Sequence, residues 1–207
     1  MARTASRFDL RGGFVLALLV GGLATPASGQ TCPQPCVPCP CPCANASPQP
    51  GVTDRSIEDL IFRTSADELV ALYRQAPVGT IPRGFLTGEA IVLPNSPIQR
   101  WALPITRFLW QGKVFRANGT VSNIVLVPRM RAVPAVHSIG ASWQDGRPTQ
   151  VIDYAGNSGL FPYLRDEIRE IRPNLYLGIA YRRPGITGRP TGFAFFLLRG
   201  PGVPTPL

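Results

Sequence analysis

The chain has 207 residues and a formal charge of +9, from 21 basic against 12 acidic side chains, with one histidine and five cysteines. That length suits one domain with appendages. The basic residues are scattered and carry no RNA- or DNA-binding motif, which argues against a nucleic-acid partner.

Arg3, Arg7 and Arg11 precede an uncharged run from Gly12 to Ala24. The run is too short to cross a bilayer core of about 30 Å as a helix, and has the length of a signal h-region. Ala27-Ser28-Gly29 supplies the small residues of a cleavage site, so residues 1–29 are expected to be a signal peptide cut before Gln30. Export to the periplasm, the cell surface or the medium follows as an expectation. Loss of the three arginines and Asp9 leaves a charge of +7.

Residues 30–55 form a Cys/Pro-rich segment and linker, expected to be disordered. Cys32, Cys36, Cys39, Cys41 and Cys43 alternate with prolines, which favour polyproline II with a rise of about 3.1 Å per residue. Cys36 and Cys39 would then lie roughly 9 Å apart along the axis, beyond the ~7 Å reach of a disulfide. An odd number leaves at least one thiol for other chemistry. Intermolecular disulfides or attachment to a cell-surface partner, a passive spacer, and metal binding all stay open; a structural zinc site normally draws its cysteines from two separated knuckles.

Residues 56–198 read as the folded domain. Ser65-Ala66-Asp67-Glu68 is a capping box, and Leu69, Leu72 and Tyr73 follow at helical spacing, predicting a helix over 65–75 after a shorter helical turn. Phe85 to Leu93 reads as a strand. Ile98 to Trp110 carries a helical stripe of Trp101, Ile105, Phe108 and Leu109, with Pro104 interrupting it. Strands are expected at 113–116 and 120–127 around an Asn118-Gly119 hairpin turn. Further strands are expected at 132–142, 149–154, 175–181 and 191–198. Residues 160–172 read as a short helical turn running into a strand. Regular short strands with turn signals argue for an antiparallel sheet that curls or closes. Phe193 to Leu198 is apolar on both faces, as a barrel strand between a lumen and a covering helix must be. The fold class expected is mainly β with N-terminal helices: an antiparallel lipocalin-like barrel or strongly curled sheet. Residues 199–207, rich in Pro and Gly, are expected as a loose tail.

Gly84-Phe85-Leu86-Thr87-Gly88, Trp110-Gln111-Gly112-Lys113-Val114-Phe115 and the closing Tyr176-Leu177-Gly178 and Phe193 to Leu197 runs resemble the bacterial GXWXG-type, lipocalin-like domains over about 79–198. Leu86 stands where that family has its first tryptophan. The resemblance implies a small antiparallel barrel that holds an apolar ligand, and it brings no catalytic residues.

The domain has little material for nucleophilic catalysis, with no cysteine, one histidine and no Gly-x-Ser-x-Gly elbow. His137, between Val136 and Ile139, reads as a structural strand residue. No cofactor or metal motif is present. Asp166 or Glu167, within the charged run from Arg165 to Glu170, could stand at a pocket mouth, with an arginine such as Arg165 for an anionic head group. The other candidates are Trp110, Lys113, Phe115, Trp143, Tyr154, Tyr176 and Tyr181. The function expected is non-catalytic binding of a small apolar or amphipathic molecule or lipid in the barrel. The alternative is a structural or cell-surface module cross-linked through its cysteines; an enzyme using the Asp166/Glu167 pair comes third.

Overall fold

The computed structural model describes residues 55–125, 131–156, 158, 161–184 and 189–204. The signal-like segment and all five cysteines lie outside the described residues.

Two short helices open the domain. α1 spans Ile57–Phe62, and the side chain of its N-cap Ser56 accepts from the Asp59 amide. α2 spans Ala66–Gln75 behind the full capping box of Ser65 and Glu68. The expected helix is therefore present, and its Leu69, Leu72 and Tyr73 are buried.

Eight strands follow: β1 (Gly84–Ile91), β2 (Trp110–Phe115), β3 (Thr120–Val125), β4 (Arg131–Ala141), β5 (Pro148–Asp153), β6 (Leu164–Arg172), β7 (Leu175–Arg182) and β8 (Thr191–Arg199). Each pairs antiparallel with the next, and β8 returns to pair with β1, closing the barrel. Closure removes both free edges. The expected mainly-β, antiparallel barrel with N-terminal helices is thus the observed fold. A third helix, α3 (Gln99–Leu109), connects β1 to β2 and runs through Pro104 without breaking. Residues 161–172 follow the expected course of a turn running into a strand. A turn in which the Leu164 amide donates to the Phe161 carbonyl leads straight into β6, where strand pairing on both sides overrides the helical spacing of Leu164, Ile168 and Ile171.

Strand alternation creates two cores. Outward-facing Ile91, Leu175, Leu177, Ile179, Tyr181, Phe195 and Leu197 pack beneath α1 and α2. Inward-facing Leu86, Phe115, Ile152, Tyr154, Ile168, Tyr176, Phe196 and Leu198 fill the lumen. β8 is apolar on both faces because it serves both.

One end of the barrel is crossed by the segment 77–83. Gln150 Nε2 donates to the carbonyls of Val78 and Thr80, and the Tyr176 hydroxyl donates to the Thr80 carbonyl. Beyond β8 the chain stays attached: Asn174 donates to the Pro201 carbonyl, Arg199 to that of Pro204, and Val203 packs on the outer core.

Candidate functional site

Strand β2 builds the centre of the lumen through an irregularity. Its pairing with β3 shifts register between Trp110 and Gly112. In a regular strand residues 110 and 113 would point to opposite faces; one extra residue brings both inward. Gly112 permits this, with φ at +138° and a Cα that approaches the Leu86 carbonyl too closely for any side chain.

Lys113, the only lysine, is 2% exposed and stands at the middle of the lumen. Its Nζ lies 2.6 Å from Asn123 Oδ1, 2.6 Å from the Tyr154 hydroxyl and 2.8 Å from Asp166 Oδ2. Three acceptors match the three N–H bonds of an ammonium. The rings of Trp110, Tyr154 and Phe196 stand 5.3–5.4 Å from the same nitrogen, within cation–π range.

The acceptors are tied to one another. The Tyr154 hydroxyl donates to Asp166 Oδ2 at 2.7 Å and accepts from Asn123 Nδ2 at 2.9 Å. Trp110 Nε1 donates to Asn123 Oδ1 at 3.2 Å. Burial pushes the Lys113 pKa down, against the pull of the Asp166 carboxylate. Burial, and then the charge of Asp166, raises Tyr154 well above its ordinary value, so its proton is retained. The cluster is a net-neutral ammonium–carboxylate pair braced by a phenol and an amide.

The five inward-facing sequence candidates, Trp110, Lys113, Phe115, Tyr154 and Tyr176, share this lumen. The other three gather outside it. Arg165 stacks 4.2 Å above the Trp143 ring, Trp143 meets Tyr181 edge-on at 5.6 Å, and the Tyr181 hydroxyl donates to Gln144. Asp166 and Glu167, adjacent in sequence, point to opposite faces of β6. Asp166 enters the lumen. Glu167 accepts from Ser142 Oγ at 2.6 Å and the Trp143 amide at 2.8 Å, pairs with Arg165, and lies 3.2 Å from the Tyr73 hydroxyl of α2.

Asn123 and Phe196 belong to the cluster and were not singled out from the sequence. For Asn123 a signal existed: Val121, Asn123 and Val125 share one strand face, and a lone amide in an apolar row calls for buried partners. Phe196 looks like any other apolar residue of β8.

Two of the rings occupy space opened by glycines. The Trp110 ring lies over Gly88, where a methyl group would come within 2.6 Å of it, and the Phe196 ring lies flush against Gly178. A separate, half-open cavity of about 240 Å³ lies at the barrel end crossed by residues 77–83, lined by Ile81, Arg83, Arg116, His137 and Ile139 among others. It shares no residue with the lumen cluster. Buried charge at a barrel centre demands a reason that a surface hollow does not. His137 bonds Gln150 through Nε2 at 3.0 Å and meets Phe115 edge-on, the setting of a packed strand residue. Among the described residues no group of three or more His, Cys, Asp or Glu side chains could hold a metal ion.

Comparison of the chain with protein-family models, with curated proteins and with solved structures found no match.

Proposed function

We propose that this protein is an exported, non-catalytic barrel of the GXWXG, lipocalin-like kind, which holds a small amphipathic molecule in its lumen. The observation that carries the reading is the Lys113–Asp166–Tyr154–Asn123 cluster at the lumen centre. Replacing a buried ion pair with apolar side chains is often neutral or stabilising by about 1–4 kcal/mol. A barrel needing only to stand would therefore gain by filling this position with leucine or methionine. Charge kept in such a place points to a task.

The chemistry of the cluster narrows the ligand. Lys113 and Asp166 cancel, so a charged head group would leave net charge inside the barrel, which is costly. An uncharged oxygen suits the site better. A carbonyl or hydroxyl could accept from Lys113 or Asn123 in place of one present partner, with its apolar body against Trp110, Phe115 and Phe196. The Lys113, Tyr154 and Asn123 donors of the cluster are all hydrogen-bonded to one another or to Asp166, which supports binding over catalysis.

A specific observation favours a second reading, a structural module with a side-chain-filled lumen: the Trp110 and Phe196 rings occupy the space above Gly88 and Gly178. Admission of a ligand requires those rings to swing aside. Native mass spectrometry of the protein purified from its exporting host separates the two. Ligand binding predicts a non-covalent adduct of a few hundred daltons with an uncharged oxygen function. Its consistent absence, with covalent oligomers that reduction dissolves, would establish the structural module instead.

A further inference from the structure

The outward face of α3 is apolar along its whole length. Trp101 is 80% exposed, Phe108 59%, Ile98 45% and Ile105 44%, and Pro104 is exposed between them. Spacings of three and four place these residues in one stripe. The opposite face is fixed. Gln99 is buried, accepts from the Val92 and Leu93 amides and donates to the Ala90 carbonyl. Arg107 makes a two-point bond to buried Glu89, which also accepts from Arg199, and Leu103 enters the outer core. The helix cannot roll to hide its stripe without breaking these bonds, so the apolar side chains are held in water by design of the opposite face.

An exposed apolar stripe of this kind marks an interaction surface. Its size and charge decide the occupant. Eleven residues make a helix about 16 Å long, and its stripe has five side chains against the roughly 20–30 residues a side of a stable protein interface. Insertion into a lipid interface needs only a few apolar side chains reaching about 5–10 Å deep. The helix has tryptophan and phenylalanine on its apolar face and no acidic residue of its own; Arg107 is engaged by Glu89 and exposed Arg100 stands 3.9 Å from Glu58, within a chain whose charge is +7 after the expected cleavage. Cationic and aromatic character together match an anionic head-group layer.

We propose that α3 is a docking element that inserts Ile98, Trp101, Ile105 and Phe108 into the interface of an anionic lipid membrane. The helix passes directly into Trp110, which caps it and whose ring stands in the lumen. Docking would therefore set that end of the barrel against the bilayer. The proposal does not depend on the lumen reading.

The test uses the protein purified from an exporting host, its N-terminus fixed by intact mass, and vesicles of equal parts phosphatidylglycerol and phosphatidylcholine. The wild type is expected to sediment with these vesicles, more weakly with phosphatidylcholine alone and in high salt. The double variant Trp101→Ser/Phe108→Ser should lose roughly tenfold in partitioning for each aromatic removed. Brominated acyl chains should quench the tryptophan emission of the wild type, and Trp101→Phe should bind but lose that quenching. Lys113→Met/Asp166→Leu should bind vesicles like the wild type, so failure of the lumen reading leaves this result untouched. The proposal is overturned if the wild type ignores vesicles, if the double serine variant binds equally, or if tryptophan emission is unquenched. It is also overturned if the stripe instead mediates a dimer in solution that the double serine variant abolishes.

Discussion

Two buried polar clusters stand back to back across the wall of the barrel, centred on the adjacent residues Asp166 and Glu167 of β6. The outer cluster, around Glu167, has a visible architectural purpose. It joins Tyr73 of α2, Ser142 and Trp143 of the β4–β5 connection, and Arg165. Beside it Arg169 grips Asp145 with two bonds of 2.8 Å and donates to the Tyr73 carbonyl. These contacts fasten helix and loop to the sheet. The inner cluster, around Asp166, spans the lumen from β2 and β3 to β6 and the residue that follows β5, inside a barrel that its ring of strand pairs already closes. Buried charge outside fastens a helix and a loop, whereas buried charge inside crosses a barrel that is already closed, and the proposal of a ligand-binding lumen rests on that difference.

The comparison breaks most visibly under substitution. Asp166→Leu alone leaves the Lys113 ammonium unpaired in the lumen and should cost about 3–5 kcal/mol. Adding Lys113→Met should recover that loss in full in a urea titration. Asn123 Oδ1, freed of Lys113, can then accept from the Tyr154 hydroxyl. Outside, Glu167→Leu should cost a similar amount. Adding Arg165→Leu should not recover it, because Ser142 Oγ and the Trp143 amide lose the acceptor they share, although the Tyr73 hydroxyl keeps Thr149 Oγ1 at 2.7 Å. Equal recovery on both sides would contradict separate roles for the two clusters.

Gly178→Ala probes how full the lumen is. The new methyl group meets the Phe196 ring, an overpacking that should cost about 1–3 kcal/mol. The companion change Phe196→Leu should relieve it. A lumen with room for the ring to move would show almost no loss in the single variant, which would favour easy ligand entry.

The smallest effect concerns α2, the helix that the outer cluster fastens. The Ser65 amide, Arg55 and the Ser65 hydroxyl, in that order, hold the Glu68 pKa down at about 2, from an ordinary 4.5. A depressed carboxylate adds stability above its unfolded pKa and loses it as pH falls through the folded one. Glu68 therefore contributes fully above about pH 4.5 and progressively less towards pH 2. Its side chain is 45% exposed, so solvent screens much of the effect. Ser65→Ala should cost about 1 kcal/mol at neutral pH, with a flatter acid limb in the unfolding midpoint of the variant.

Much of the fold was legible in the sequence, because it rests on local chemistry. The capping box fixed the start of α2, and Asn118-Gly119 the β2–β3 hairpin. The two-sided apolarity of Phe193 to Leu198 required a barrel strand with cover. The candidate site was only half legible. Trp110 and Lys113 share a face through a register shift that no spacing reveals. Asp166-Glu167 read as one cluster, although strand alternation divides the pair as soon as residues 164–172 are known to be extended. Trp143, Arg165 and Tyr181 have the same composition as a ligand pocket and belong to the outer fastening. Aromatic and charged residue types alone do not say which side of a wall they stand on.

The most direct test of the central claim is the equilibrium stability and ligand content of Lys113→Met/Asp166→Leu, prepared and measured beside the wild type. A cluster kept for binding predicts a double variant that is at least as stable as the wild type and no longer carries the bound molecule. A double variant that is several kcal/mol less stable, or that retains the same adduct, would contradict it.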